Sequence, residues 1–508
     1  MNTSSKLNFV QRFAARVMRP VVARQRRLAA ARHSNLVADW KTALITIDSE
    51  VRQDLRKLIE RTRDLARNDS MVERACLLMA NGVVGPDGVR VQNKYRTKDG
   101  FDRETNRIVE VAIDDFFSKP EVTGRHSMID VLRLTVRHLV VDGNAFWTIK
   151  RDRKYKHGIA VQLWDITRLA MEKNEIRSDG TEVRMGVEMD SDKRPIAYWR
   201  YKHNPYDSRS AAWGTAGTTN AEAERIPAED VIHFAHLSEA DQTLGLPMLT
   251  QGVLKLRMLG MYEEAAIVQA RMAAQCGAVI ETTVPEDSTQ YTDIAAPAIN
   301  WEAGMMLEPP PGKTVKPFQL SSGVERFGEV VKQLVRNFAG GMGFSGSTLG
   351  NNPEGLNLAL IKWVTAEERE HIKGLQTYII NTGLKPLLDA WAAMATLVKT
   401  LKVSAAEVDT KFVPAFFPRR WSSLDPQGDI NAFVTAMNNG VMDPETAVRL
   451  LGNDMDLESC VEGLRIRKDL MKAAGVEIFT VSGQAATGGQ NNAPGTSGNP
   501  NAPEQAAA

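Results

Sequence analysis

The strongest constraint in this sequence is a set of long helical stretches whose apolar stripes are too extensive to be covered by one another. The first lies between Pro247, suited to an opening turn, and Gly277, suited to a helix end. The roughly 29 residues between them predict a helix of about 43 Å at 1.5 Å per residue. A second helix is predicted to open at Ser322 and Glu325, which form an S-x-x-E capping box, and it carries the stripe Phe327, Val331, Leu334 and Phe338. Residues 278–320, between the two, are Pro-rich and predict short strands at Ala278–Glu281, Met305–Leu307 and Thr314–Phe318. A lone hairpin of such helices leaves apolar surface uncovered, so the fold must supply other partners for it. A Gly-rich stretch at Gly340–Gly355 predicts a flexible loop. A further long helix is expected from about Leu356 to Leu397, bent near Lys385-Pro386.

The chain before these helices mixes both periodicities. Val51, Leu55, Leu58, Ile59 and Leu65 form a helical stripe, and Ser70 to Asn81 predicts a second helix with Gly82 at its C-cap. Ile129–Val141 is also helical. Ala145–Lys150, Ile159–Leu163, Gly186–Met189 and Ile196–Trp199 predict strands, and Tyr206–Asn220 a loop. The expected class is therefore α+β. Three helices are punctuated near the other end: Asp425-Pro426 to Gly440, Asp443-Pro444 to Gly452, and Leu457 to Ala474 before Gly475. From Thr480 onward only Glu504 is charged, and that tail is expected to be disordered.

Charge and cysteine content narrow the function classes. Against 63 Lys+Arg stand 62 Asp+Glu, which argues against a surface that grips nucleic acid everywhere. Basic residues do cluster in residues 1–33, where Lys6, Arg12, Arg16, Arg19, Arg24, Arg26, Arg27 and Arg32 meet no acid. Such an arm is either simply solvated or meets nucleic acid or an acidic partner. It has no apolar core, so no secretory signal is expected, and no apolar run suggests a membrane span. Cys76, Cys276 and Cys460 are widely spaced and read as thiols in a reducing compartment.

Several motifs match chemistry only in part. Gly341-Met342-Gly343-Phe344-Ser345-Gly346 satisfies G-x-G-x-x-G, but a helix rather than a strand is predicted before it. Pro311-Gly312-Lys313-Thr314 matches the end of a Walker A loop, yet Leu307 stands where its first glycine belongs and a strand follows. His233 and His236 would point to opposite faces of a strand, without further metal ligands. The Gly343–Ser347 stretch misses the G-x-S-x-G elbow at its last position. Asp114-Asp115 and Glu263-Glu264 read as solvated helix faces. No catalytic group, cofactor or metal site is expected. The competing readings are a nucleotide-binding enzyme using Gly341–Gly346 or Gly312–Thr314, and a DNA-binding protein using the basic arm.

The order of parts and several local stretches resemble the lambda-type portal proteins of tailed bacteriophages over about residues 36 to 475. Arg61-Thr62-Arg63-Asp64-Leu65-Ala66-Arg67-Asn68 is similar to the family's R-x-R-D-L-x-R-N helix, and Asn81-Gly82-Val83-Val84-Gly85 to its n-x-V-V-G segment. Asp142-Gly143-Asn144 resembles its D-G-E/N turn. Gly186–Asp190 with Arg194–Tyr198 resembles its G-V-E-x-D…G-R-P-x-A-Y hairpin. Ile226–His233 and Asp241–Pro247 resemble the I-P-A-x-x-V-I-H and G-Q-x-R-G-x-P stretches. Leu244 replaces the family's Arg, Asp241 its first Gly, and Asn351–Asn357 its N-Y-S-S-like stretch.

The resemblance implies a portal fold: a basic arm (1–35), an α+β wing (36–246), a stem helix (247–277) and a small strand-containing clip (278–321). A return stem helix (322–339), a tunnel loop (340–355), a long helix with wing return (356–424), a helical crown (425–479) and a tail (480–508) complete it. It implies a homo-oligomeric ring, usually of twelve subunits, at one capsid vertex of the virion, assembled in the host bacterial cytoplasm. Double-stranded DNA would pass through it during packaging and ejection. The implied partners are a terminase large subunit, a major capsid or scaffold protein and head-tail adaptor proteins, with no membrane. The channel candidates are then Lys332, Arg336, Phe344, Ser345, Ser347 and Thr348, with Gly340, Gly341, Gly343, Gly346 and Gly350 as loop hinges.

Overall fold

The computed structural model describes residues 44–98, 100–207, 222–275, 278–282, 313–317, 327–352, 357–404, 406–421, 424–450 and 457–473. The expected strand at Met305–Leu307, the Ser322–Glu325 box, the loop before Asn220, Gly452, Gly475, the basic arm and the tail lie outside these residues. The chain divides into two compact units, Met1–Arg419 and Arg420–Ala508.

The first unit is α+β. Helix α1, Ile47–Asn68, buries Val51, Leu55, Ile59, Thr62 and Ala66 along one stripe. Asp69 ends it and caps α2, Ser70–Val83, accepting from the Met71 and Val72 amides at 2.8 and 3.1 Å. Gly82 was expected to stop this helix, but the helix runs through it. A Cβ on Gly82 would stand 2.7 Å from Ile372, so the glycine permits close helix packing instead. The left-handed residue that follows is Gly85, at φ +72°.

Strand β1 is Arg90–Asn93, and a small ribbon pairs β2, Arg96–Thr97, with β3, Gly100–Phe101. Helix α3, Arg103–Ser118, is capped by Asp102 and buries Asn106, Val109, Ile113 and Phe116. It corrects the solvated-face reading of Asp115: its carboxylate bonds His157 Nε2 at 2.8 Å and Lys156 Nζ at 2.6 Å. Helix α4, Met128–Asp142, opens with a Ser127–Asp130 capping box and ends at Gly143, φ +74°.

Two antiparallel sheets follow. The first is formed by β4, Asn144–Arg151, β5, Ile159–Trp164, and β11, Val231–Ala235, in the order β11-β4-β5. The second comprises β6, Glu175–Ile176, β7, Glu182–Arg184, β8, Val187–Met189, β9, Pro195–Tyr201, and β10, Ala223–Pro227, in the order β10-β9-β8-β7-β6. The main core lies where α1 meets these sheets, with Leu55, Phe146, Ile166, Leu169, Val187 and Tyr198 among its buried members. Phe146 stacks on Trp164 at 4.4 Å. Such a pair contributes about 1 kcal/mol beyond area burial. The G-V-E-x-D stretch has its own anchor: buried Glu188 accepts from Arg177, Arg225 and Trp199. The Arg225 guanidinium holds its carboxyl below the usual range.

A one-turn 3₁₀ helix, Met248–Gln251, precedes α5, Val253–Gln275. The helix therefore starts later than Pro247, because the Gly252 amide closes the 3₁₀ turn onto Leu249 O at 2.8 Å. Strands β12, Ala278–Thr282, and β13, Lys313–Pro317, pair antiparallel. Helix α6, Phe327–Gly341, returns alongside α5, and α7, Gly346–Gly350, is a single turn. Helix α8, Leu358–Ile379, continues through a π turn, Ile380–Leu384, into α9, Lys385–Leu397. The irregularity near Pro386 is thus a π turn. It brings Gly383 against Phe234, whose ring would stand 2.4 Å from a Cβ there. Trp391, on α9, is fully buried and stacks on Phe116 at 5.9 Å. The short helix α10, Val408–Lys411, leads to β14, Pro414–Phe417, which pairs with β1.

The second unit holds α11, Pro426–Asn438, α12, Pro444–Leu450, and α13, Leu457–Ala473. Asp425 accepts from the Gly428 amide at 3.1 Å and Asp443 from the Thr446 amide at 2.9 Å, as the Asp-Pro openings predict. Gly440 is left-handed, φ +68°.

Candidate functional site

Three stretches singled out in the sequence converge on one node. Gly143 ends α4 and lies back to back with the Gly245–Pro247 segment: a Cβ on Gly143 would be 2.2 Å from Leu246 C, and one on Gly245 would be 2.2 Å from Gly143 O. Asn144 locks the pair, donating to Gly245 O at 2.7 Å and accepting from the Gly245 amide at 2.8 Å. The His236 amide donates to Gly143 O at 2.9 Å, and the Leu246 amide to His236 O at 3.1 Å. Arg63 grips Asp142 through two bonds of 2.7 and 2.8 Å and reaches Asp165 at 2.8 Å. Burial works against the Arg63 charge, but the two carboxylates prevail and raise its pKa. His138 Nδ1 completes the Asp142 shell at 2.7 Å.

His233 meets the same node. Its Nε2 lies 3.1 Å from Asn144 Oδ1, and its ring stacks on Phe146 at 4.3 Å. Burial pushes its pKa down to about 3, so the ring is neutral and Nε2–H is the donor. His236 instead places Nδ1 3.0 Å from Leu246 O. The two imidazoles do different structural jobs and do not converge. The departures from the family pattern also resolve here. Asp241 takes the left-handed conformation, φ +63°, where the family has Gly, and Leu244 is fully buried where the family has Arg.

The node fixes how α5 leaves the sheets. Gly252 lets α6 cross closely, with the Phe338 ring 2.4 Å from where a Cβ would be. Tyr262 and Phe327 meet farther out at 5.2 Å. This contact buries one stripe of α5, including Val253, Leu256 and Leu259. Leu254, Met258, Met261, Ile267 and Val268 remain 47–65% exposed. Lys332 and Arg336 are exposed one turn apart on α6, and neither head group has an ion pair among the described residues.

The glycine-rich segment differs from the expected loop. Gly340 and Gly341 belong to the last turn of α6, and Gly343 is left-handed, φ +74°. Gly346 and Gly350 bound α7, where a Gly346 Cβ would meet Arg336 Cγ at 2.6 Å. Phe344 is buried, so its ring packs inward within this chain instead of offering a surface. The Ser345 hydroxyl accepts from the Thr348 amide at 3.1 Å and bonds the Ser347 and Thr348 hydroxyls at 2.9 Å. The Ser345 amide donates to Glu368 at 2.7 Å, and Arg74 donates to Thr348 O at 3.0 Å. A helix stands before this segment where dinucleotide binding requires a strand. Lys313 and Thr314 lie on β13. Among the described residues no cluster of His, Cys, Asp and Glu is placed to hold a metal, and no helix is long and apolar enough to cross a membrane.

The edge strand β11 entered the sequence reading only through its histidine, because the apolar pair Val231-Ile232 hides its alternation.

Comparison with known proteins places this architecture. A family model described as phage portal protein, lambda family, matches residues 33–376, more than half of the chain. A probable portal protein of Halomonas phage phiHAP-1 is 25% identical over 437 residues, which is 84% of this chain and 83% of that protein. Among solved structures, a chain from the neck of an empty GTA particle is 13% identical, with a TM-score of 0.48, covering 79% of this chain and 93% of that one. An HK97 family phage portal protein from Corynebacterium diphtheriae is 15% identical, with a TM-score of 0.29, covering 60% and 84%. From the extent of the family match, the chain belongs to the lambda family of phage portal proteins.

Proposed function

We propose that this chain assembles with copies of itself into a portal ring, usually of twelve subunits, at one capsid vertex of a virion, and that double-stranded DNA passes through its channel. The observation that carries this reading is the apolar face of α5: Leu254, Met258, Met261, Ile267 and Val268 stand open after α6 has packed. Covering what remains exposed contributes on the order of 1 kcal/mol per side chain. A head-to-tail ring covers such a face on every subunit at once.

In this reading α5 and α6 are the stem, β12 and β13 belong to the clip, and the two sheets with α1–α4 form the wing. Helices α11–α13 form the crown. Lys332 and Arg336 face the channel. Duplex DNA carries about one charge per 1.7 Å, and a wall that is only modestly basic holds it without stalling it. The ordered Gly343–Gly350 segment would present Ser347 and Thr348 at its surface. The role is structural, not catalytic: a terminase large subunit, capsid or scaffold protein and head-tail adaptors dock on the ring and supply the other activities. The test is sedimentation and negative-stain imaging of purified protein, wild type against Leu254→Glu/Met258→Glu. Annular particles from the wild type and folded monomers from the variant are expected. A wild type that stays monomeric at every concentration would overturn the proposal.

A further inference from the structure

Strands β1 and β14 form a two-stranded sheet whose two faces are unlike. Val91 and Asn93 are buried on the inner face. Asn93 anchors it: its backbone amide donates to Glu110 at 3.0 Å, its side-chain amide donates to Asn106 Oδ1 at 2.8 Å, and its Oδ1 accepts from the Val413 amide at 2.7 Å. A slip of one residue would turn every side chain over, so this network fixes the register. Side chains alternate along a strand, which puts Arg90, Gln92 and Lys94 on the outer face. The Lys94 ammonium lies 5.1 Å from the centre of the Phe417 ring, and Phe417 stands opposite Arg90 on that same face. The ribbon β2–β3 carries the row on. Arg96 is exposed, with its guanidinium 4.2 Å from the centre of the ring of Phe101, its cross-strand partner. Lys98, in the turn after β2, is exposed as well.

The row has one sign. No acid stands in the sequence between Asp87 and Asp99, and none between Asp409 and Asp425, the stretch that holds β14. In a chain with 63 Lys+Arg and 62 Asp+Glu, that is a local surplus of positive charge. Alternate residues of a strand recur about every 6.6 Å, so Arg90 to Lys98 spans at most about 26 Å. One strand of duplex DNA advances about 3.4 Å per phosphate, so the row matches every second phosphate over about eight base pairs. The Phe417 and Phe101 rings steady the Lys94 and Arg96 head groups. The same stacking covers the aromatic faces that a protein partner would use as anchors. Exposed ion pairs alone add little to a contact between proteins, whereas DNA also releases its condensed counterions.

We propose that the outer face of β1, continued by the β2–β3 ribbon, binds the phosphate backbone of duplex DNA without regard to sequence, through Arg90, Lys94, Arg96 and Lys98. Gln92 stands within the row as a neutral donor. The surface belongs to other elements than Lys332 and Arg336 on α6, and the inference needs neither the ring nor its channel.

The test uses the full-length protein and covalently closed circular DNA, which cannot thread a ring, in filter binding from about 50 to 200 mM salt. Four phosphate contacts set a slope of about −3.6 in log K against log salt. Arg90→Gln/Lys94→Gln/Arg96→Gln/Lys98→Gln is expected to flatten the slope by about that amount and to weaken binding at the lowest salt at least tenfold. Lys57→Gln/Lys154→Gln/Lys202→Gln/Lys373→Gln removes the same charge from other exposed positions and is expected to change neither. Equal losses in both variants, or no loss in the first, would overturn the proposal. A second measurement needs no variant: bound DNA is expected to slow acetylation of Lys94 and Lys98 by about fivefold or more and to leave Lys154 unchanged. Unprotected lysines would overturn the proposal. Equal protection by poly-glutamate would also overturn it, by assigning the face to an acidic protein.

Discussion

Replacing Gly143 by alanine tests whether the wing-to-stem node is the keystone the geometry makes it. Two costs arise. At φ +74° any Cβ incurs about 1–2 kcal/mol of left-handed strain. The added methyl also meets Leu246 C at 2.2 Å, Leu246 O at 2.5 Å and Pro247 N at 2.5 Å. These are backbone atoms held by Asn144 and His236, so they cannot swing aside as a side-chain tip would. Overpacking of this kind costs about 1–3 kcal/mol, and the immovable neighbour puts it at the upper end. The sum is about 3–5 kcal/mol. Gly180→Ala is the control: φ is +84°, yet nothing lies within 4 Å of its Cβ, so only the strain remains. Circular-dichroism melts of both variants should separate them by about 2–3 kcal/mol. At about 2 °C per kcal/mol for a large unit, that is a gap of roughly 5 °C. Equal melting points would refute the claim that the Gly143–Gly245 contact is a rigid backbone-on-backbone seat.

Lys332→Glu/Arg336→Glu should leave ring formation intact and reduce packaged or retained DNA at least tenfold in a packaging assay; undiminished packaging would remove these residues from the channel wall. Burial pushes the Cys76 thiol up to about 11, so in a Cys276→Ser/Cys460→Ser background iodoacetamide should fail to label it at pH 8 until the protein unfolds. His233 has a folded pKa near 3 against an ordinary value near 6.5, so the unfolded chain binds more protons between those limits. Its contribution is present above pH 6.5 and is lost as pH falls, by up to about 1.4 kcal/mol per pH unit. The melting point of His233→Gln should therefore fall less steeply than wild type from pH 6.5 to 5. Asp142→Asn should cost about 3–5 kcal/mol, because it leaves the Arg63 charge buried and half paired; thermal melting checks it.

Helices with sharp chemical punctuation were the legible part of this fold. Asp425-Pro426 and Asp443-Pro444 announce their caps, and the stripe Val51, Leu55, Ile59 repeats at helical spacing because one face is buried. Glycine was the harder residue to read. Its absent side chain serves two unrelated purposes, a left-handed turn or a close approach, and sequence alone does not say which. Gly82 and Gly252 are close approaches inside or beside helices, whereas Gly143 is both at once. The run Gly340–Gly350 invited a loop reading because five glycines suggest freedom, yet Met342, Phe344 and Leu349 bury themselves between them and pull the backbone into turns. The family stretches, by contrast, could be read as a pattern but not as a mechanism. Arg63, Asp142, Asn144, His233 and Gly245 are scattered over some 180 positions, and only the fold shows them meeting at one point. That convergence gives them a physical reason. A long helix projecting from a sheet domain transmits any error in its starting angle along its whole length. Over the 23 residues of α5, about 34 Å, a tilt of 5° at Gly252 moves the far end by roughly 3 Å. In the proposed ring that displacement would recur at every subunit, and the backbone-on-backbone seat at Gly143 and Gly245 is what limits it.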